Sequence, residues 1–379
     1  MKKKNDFAGY TGLIDLMSAA NKYPLSFLNA GKQAASDWSG KARRKMFELL
    51  AFAPKAVPFS QRLKAKVKKD GVIIETLEYS LPYGPRTEAF FLYPEGAKGR
   101  LPGIAALHDH GGFKYFGKEK ITELPREHRM LKGFREEYYG GRAYANELAK
   151  QGFAVLVHDC FMWGSRRFHE SELSENFLEP LKGKKPGSEG FIKAYNLIQR
   201  DYENIISKYL ITLGTTIQGV FSYEDRRAVD FLLSRKEVDA DRIGCLGLSG
   251  GGLRTAYLAG LDERVKCAVC VGFMDTFEGF LDNRIKNHTW MLNLPYQSRY
   301  MDFTDMAAIR VPSPLMVQYD IHDGLYTLKG QKDADKRLAS IYKKAGAPEN
   351  YRGIFYPGPH KFDLPMQEDA FRWFEQKLT

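Results

Sequence analysis

Residues 242–261 read RIGCLGLSGGGLRTAYLAGL. A strand pattern, RIGCLGLS (242–249), runs directly into G-x-S-x-G at 247–251, and a helix pattern, GGLRTAYLAGL (251–261), leaves directly from it. A nucleophile elbow requires this order of strand, serine turn and helix. The turn is so tight that the serine must hold a strained backbone, and the positions two before and two after it must be tiny. The hydroxyl of Ser249 then stands above the edge of a sheet. A phosphate-binding loop would need Lys-Ser/Thr after its glycines, which is absent here. A dinucleotide fingerprint would fall near the first strand of its sheet, not this far along the chain.

Outward from the elbow, short apolar runs alternate with amphipathic ones. LPGIAALHD (101–109), FAVLVHD (153–159), VKCAVCVGF (265–273), PLMVQYD (314–320) and YRGIFYPG (351–358) read as strands. RAYANELAKQG (142–152), IKAYNLIQRDYENIISKYLITLG (192–214), YEDRRAVDFLLSR (223–235), LKGQKDADKRLASIYKKAG (328–346) and PMQEDAFRWFEQKL (365–378) read as helices. Continuously apolar strands that alternate with helices imply an α/β fold, a mostly parallel central sheet with helices on both faces. VIIETLEYSL (72–81) and RTEAFFLYPE (86–95), joined by the turn signal PYGP, predict an antiparallel hairpin before it. Residues 1–60 read as an N-terminal helical extension and 61–379 as the catalytic domain. Two long interruptions, about 160–214 and 274–312, follow strand ends, where open α/β sheets place ligands, and are expected to form a lid or walls over a site.

A serine needs a base, and the base needs an orienting acid. Behind such an elbow the chain order is serine, acid, histidine. His360, in YPGPHKF between the last strand and the last helix, is the expected base; His288 lies in an interruption and His322 precedes the wanted acid. Asp320 and Asp323 compete for the acid in QYDIHDGLY. Asp323 is favoured, because a loop position lets a carboxylate turn toward the histidine.

The segment ALHDHGGF (106–113) closes the first parallel strand. Residues two apart on a strand share a face, so His108, Asp109 and His110 invite a metal reading. The segment lacks a third ligand at a known spacing, since Phe113 stands where an Asp or His would be needed. The favoured reading is half of an oxyanion hole, with glycines freeing backbone N–H groups to face a developing negative oxygen. Gly112 is the expected donor there and Gly250, after the nucleophile, the other; His110 is expected to pack or hydrogen-bond beneath the loop.

Composition excludes several classes. The 379 residues carry a net charge of +11, with basic clusters in LKAKVKKDG (63–71) and GKARRK (40–45) but no nucleic-acid-binding motif, so a solvated basic surface is expected and no nucleic acid. Mean hydropathy is −0.42, no run reaches membrane-spanning length, and the opening MKKKNDF leads into no signal core, being interrupted by Asp6, Asp15 and Lys22, so a cytoplasmic protein without membrane contact is expected. Cys160, Cys245, Cys267 and Cys270 read as small core residues; Cys267 and Cys270, three apart on a strand, point to opposite faces. Trp163 and Trp290, one in each interruption, are candidate sugar-stacking residues.

LHDHGGFKYFGKEK, VLVHDCFMWGSRR, DRRAVDFLLSRKEVDADRIGCLGLSGGG, PLMVQYDIHDGLY and YPGPHKF together resemble the acetyl xylan esterase-like and dienelactone hydrolase-like branch of the α/β-hydrolases, over about residues 70–379. The resemblance implies an α/β-hydrolase fold and hydrolysis of carboxylic esters, often acetyl groups on sugars. It places the serine, aspartate and histidine of such enzymes on Ser249, Asp323 and His360, with no metal or organic cofactor. True dienelactone hydrolases use a cysteine nucleophile, and this chain departs from them with Ser249. The implied partner is a small-molecule ester, such as a short acylated sugar. A small-substrate amidase or peptidase with the same triad, and a non-catalytic binding protein on the same fold, are the alternatives; 379 residues leave no room for the propeller that prolyl-peptidase relatives usually carry.

Overall fold

In the computed structural model, which describes residues 6–31, 34–282 and 284–379, nine strands form one sheet in the order β1-β2-β3-β5-β4-β6-β7-β8-β9. The strands are β1 (Arg62–Lys69), β2 (Val72–Tyr79), β3 (Thr87–Pro94), β4 (Leu101–Leu107), β5 (Ala154–His158), β6 (Val238–Leu248), β7 (Val265–Val271), β8 (Leu315–Asp320) and β9 (Tyr351–Tyr356). The first three are antiparallel, β3 joins β5 antiparallel, and from β5 to β9 every pair is parallel. The C-terminal ends of the parallel strands therefore share one edge, which gathers the loops after Leu107, Leu248 and Asp320 and the turn after Tyr356.

The continuous apolar runs are explained by burial on both faces. Leu107, Leu156, Cys245, Cys270 and Val317 belong to one core, while Ala106, Val155, Leu246, Val269 and Met316 belong to the other. Cys267 lies in the second core and Cys270 in the first, and all four cysteines are free and buried. The first face is covered by α2 (Ala35–Leu50), α7 (Ile217–Leu233), α8 (Gly250–Leu261) and α12 (Leu328–Lys344). The second is covered by α4 (Tyr144–Lys150) and α13 (Leu364–Leu378). Before them, α1 (Thr11–Ala19) buries no residue, whereas α2 sinks Trp38, Ala42, Met46 and Leu50 into the main core. The basic opening 1–5 lies outside the described residues.

The basic cluster LKAKVKK turns out to be the edge strand β1. Its lysines project outward and pair with acids of the neighbouring strands, Lys66 with Glu75 at 3.2 Å and Lys64 with Glu88 at 2.5 Å. Charged lysines on an edge discourage sheet-to-sheet association, a structural use for part of the basic excess. Between β4 and β5, α3 (Arg129–Tyr138) precedes α4. After β5 the chain carries α5 (Glu175–Leu178) and the long α6 (Glu189–Thr212); after β7 it carries α9 (Phe277–Leu281), α10 (Gln297–Tyr300) and α11 (Phe303–Ala307). Among the described residues no helix is long and apolar enough to cross a membrane.

Candidate active site

Ser249 sits between β6 and α8 with φ 59° and ψ −118°, a left-handed backbone that a serine adopts only under constraint. The constraint is visible on both sides. A Cβ on Gly247 would lie 2.4 Å from the Leu107 carbonyl oxygen, and one on Gly251 would lie 2.1 Å from it. The Ser249 N–H donates to Val271 O at 2.8 Å and its carbonyl accepts from Leu253 N at 2.9 Å, so strand and helix grip the residue from both ends. Below the turn, buried Arg254 holds Asp225 through its Nε at 3.1 Å and donates to His108 O at 3.3 Å, tying α8 to α7 and to the end of β4.

A cavity of about 500 Å³ opens over this elbow, and Ser249, Asp323 and His360 all line it. His360 Nδ1 lies 2.6 Å from Asp323 Oδ2, while the buried Nε2 has no hydrogen-bond partner among the described residues. Burial works against a charged imidazole, but the hydrogen bond and charge of Asp323, with the charge of Asp320 behind it, prevail and raise the His360 pKa. Asp323 Oδ1 accepts the Leu325 N–H at 2.8 Å, which fixes the carboxylate. Asp320 does different work: its Oδ2 accepts the Lys361 N–H at 3.1 Å and so anchors the histidine loop. Its Oδ1 is unpartnered among the described residues, and burial pushes its carboxyl up to about 7. Carboxylate oxygens of Asp320 and Asp323 and a ring nitrogen of His360 lie within 4.8 Å of one another.

A base must be neutral to accept a proton, so a raised His360 pKa moves the acidic limb of the rate profile upward. Activity is expected to be lost as pH falls through an apparent pKa above the ordinary histidine value of about 6.5. In Asp323→Asn, which removes the leading favourable cause, that limb should move down. A pH–kcat/KM profile of both proteins checks this; a limb unmoved by the substitution would contradict it.

The loop after β4 differs from expectation. Gly112 donates its N–H to His110 Nδ1 at 3.0 Å, so it is not free for an oxyanion. The backbone N of His110 lies beside the nucleophile turn instead: a Cβ on Gly250 would lie 2.8 Å from it. Gly250 opens α8, where the first N–H groups lack intrahelical acceptors. Gly250 and His110 are thus the candidate oxyanion donors. The atoms of the would-be metal triplet are engaged by protein groups. Buried His108 bonds Asp109 O and the Cys160 N–H, and Asp109 takes Lys120 and Tyr139.

Neither tryptophan faces the cavity. Trp163 is 2% exposed, donates to His110 O at 3.2 Å and carries Lys114 Nζ over its ring at 4.8 Å, a support beneath the loop. Trp290 donates its indole N–H to Asn204 and lines a neighbouring apolar cavity. The second interruption does wall the site through Asn287, His288, Thr289, Met291 and Leu292, whereas the first contributes no lining residue. Sequence reasoning missed His288, which donates through Nε2 to Leu325 O at 2.9 Å and whose pKa is lowered by burial.

The pattern of the Prolyl oligopeptidase family matches residues 218–329, the stretch from α7 across the elbow to the start of α12. A provisionally named hydrolase of Bacillus subtilis (strain 168), YtaP, is 25% identical over 89% of this chain and 98% of its own. Among solved structures, a Bacteroides fragilis protein provisionally named an acetyl xylan esterase superposes with TM-score 0.69 at 17% identity, covering 91% of this chain and 82% of its own. A glucuronoyl esterase from Solibacter usitatus superposes with TM-score 0.61 at 15% identity, covering 92% and 95%. The strand order, the serine elbow after β6 and these superpositions make the chain an α/β-hydrolase by fold.

Proposed function

We propose that this protein is a serine carboxylic-ester hydrolase that removes short acyl groups from a small, uncharged alcohol such as a sugar. The observation that carries the reading is a strained serine in one cavity with a histidine whose Nδ1 is held by an aspartate and whose Nε2 has no partner among the described residues. In the proposed reaction His360 Nε2 accepts the Ser249 proton as the oxygen attacks the ester carbonyl. Asp323 orients the ring and stabilises its charged form. The N–H groups of Gly250 and His110 stabilise the oxyanion. His360 then protonates the leaving alcohol, and water, deprotonated by the same ring, hydrolyses the acyl-enzyme. The relatives named as esterases support this choice over amide hydrolysis.

The lining of the cavity supports the substrate class. Buried Phe273, Met291, Leu292 and Tyr326 give it an apolar wall on which a short acyl group can rest. Its lining holds no lysine or arginine among the described residues, and an exposed carboxylate, Glu137, stands at its margin. A leaving alcohol that bears a carboxylate or phosphate finds no cation there to replace its water. Matched acetyl esters of a neutral sugar, a uronic acid and a sugar phosphate test this. The neutral ester is expected to be turned over with at least about tenfold higher kcat/KM, since one uncompensated charge interaction is worth that much. A preference for either anionic ester would overturn the assignment. Acetate, butyrate and octanoate p-nitrophenyl esters should fall in that order.

A further inference from the structure

Glu203 lies on α6, in the first interruption, which contributes nothing to the cavity lining. Its carboxylate is nonetheless where three donors meet. Oε2 takes His110 Nε2 at 3.1 Å and Lys114 Nζ, and Oε1 accepts the backbone N–H of Trp290 at 3.2 Å. Lys114 is 1% exposed and Glu203 4%. Burial alone would raise the Glu203 carboxyl, but the contacts of His110 and Lys114 hold it below the usual carboxylate range.

The consequence runs through the imidazole. With Nε2–H donated to Glu203, Nδ1 of His110 carries no proton and accepts the Gly112 N–H. That bond closes the turn and leaves the His110 backbone N beside Gly250. Trp163 and Lys120 hold the His110 carbonyl from below at 3.2 and 3.3 Å, and Lys120 and His108 Nδ1 hold the Asp109 carbonyl, whose peptide carries the His110 N–H. The bond to Trp290 extends the effect to the other interruption: the next residue, Met291, puts its sulfur 3.0 Å from where a Gly250 Cβ would be.

We propose that Glu203 is a positioning residue for the oxyanion hole, fixing the His110 tautomer and hence the direction of the His110 backbone N–H, while docking the Met291 wall over Gly250. The proposal rests on the serine-hydrolase reading. It also explains a carboxylate at this position: a glutamine offers one acceptor oxygen, and the three donors need both.

The test uses three proteins besides the wild type: Glu203→Leu/Lys114→Met, which removes the pair without leaving a buried charge, His110→Ala, and the triple combination. Each is first checked for cooperative thermal unfolding. The expected result is a fall in kcat for p-nitrophenyl acetate of about 10²-fold in the double variant, the scale of a donor misplaced by about an ångström, with KM within about threefold. Because both changes act through one imidazole, the triple variant should lose about 10²-fold as well. Independent structural effects would multiply to about 10⁴-fold. A folded double variant with kcat within about threefold of wild type, or multiplying losses, would overturn the proposal. NMR of the histidine rings gives a readout independent of activity. The protected Nε2–H signal of His110 should be present in the wild type and lost in the double variant. Its persistence there would overturn the proposal. A wild type that hydrolyses no ester would instead count against the serine-hydrolase reading, leaving the tautomer result to decide the role of Glu203.

Discussion

Ser249→Ala is expected to lower kcat for p-nitrophenyl acetate by on the order of 10⁶-fold, with the fold retained. The size follows from the mechanism: without the hydroxyl no acyl-enzyme forms, and only binding and the oxyanion donors remain to assist water. Retention of fold follows from the backbone. The bonds that shape the turn run from Ser249 N to Val271 O and from Leu253 N to Ser249 O, and neither uses the side chain. Alanine carries the same Cβ as serine at φ near 59°, so the backbone strain is unchanged and the melting temperature is expected to stay close to that of the wild type.

The two neighbouring carboxylates should separate just as clearly. Asp323→Asn is expected to lower kcat by about 10⁴-fold, because an amide at the 2.6 Å contact presents either a weaker acceptor or a donor to Nδ1 and favours the wrong tautomer. Asp320→Asn should cost on the order of tenfold, the scale of a weakened loop anchor, since Asp320 holds the Lys361 N–H and not the imidazole. Steady-state kinetics of the two variants side by side decide the matter. Equal losses, or the larger loss in Asp320→Asn, would reverse the assignment of the acid.

The contrast between these residues shows what local sequence can carry. Ser249 is legible because its neighbours must be small for reasons of covalent geometry: the Leu107 carbonyl stands where Cβ atoms would be at 247 and 251. His360 is legible because a parallel sheet brings the turn after β9 to the same edge as the elbow. The second oxyanion donor is not. Which N–H of HDHGG is free depends on where the His110 ring sends its protons, and that is decided by Glu203, 93 residues away. Trp163 fails as a sugar platform for a similar reason, since the loop after β5 turns inward beneath the β4 loop and the indole serves His110 instead of a ligand.

Two elements were obscured by burial and charge. Helix α7 begins at Ile217, capped by Thr216, well before the amphipathic stretch at 223–235 that announces it; its first nine residues are all buried, polar Gln218, Ser222, Glu224 and Asp225 included, so no solvent-facing stripe marks them. Strand β1 does alternate, Leu63, Ala65 and Val67 with Lys64, Lys66 and Lys68, but an exposed edge buries little and the lysines make the stretch read as a basic surface cluster.

The central claim, a Ser249 nucleophile activated by His360, is tested most directly by a fluorophosphonate ester. Ser249 Oγ should displace fluoride from phosphorus and retain the phosphonyl group. The folded wild type is expected to gain one adduct by intact mass, mapped to the peptide containing Ser249, with none in Ser249→Ala. An adduct confined to another residue, or no adduct on folded protein that nevertheless hydrolyses p-nitrophenyl acetate, would contradict the account.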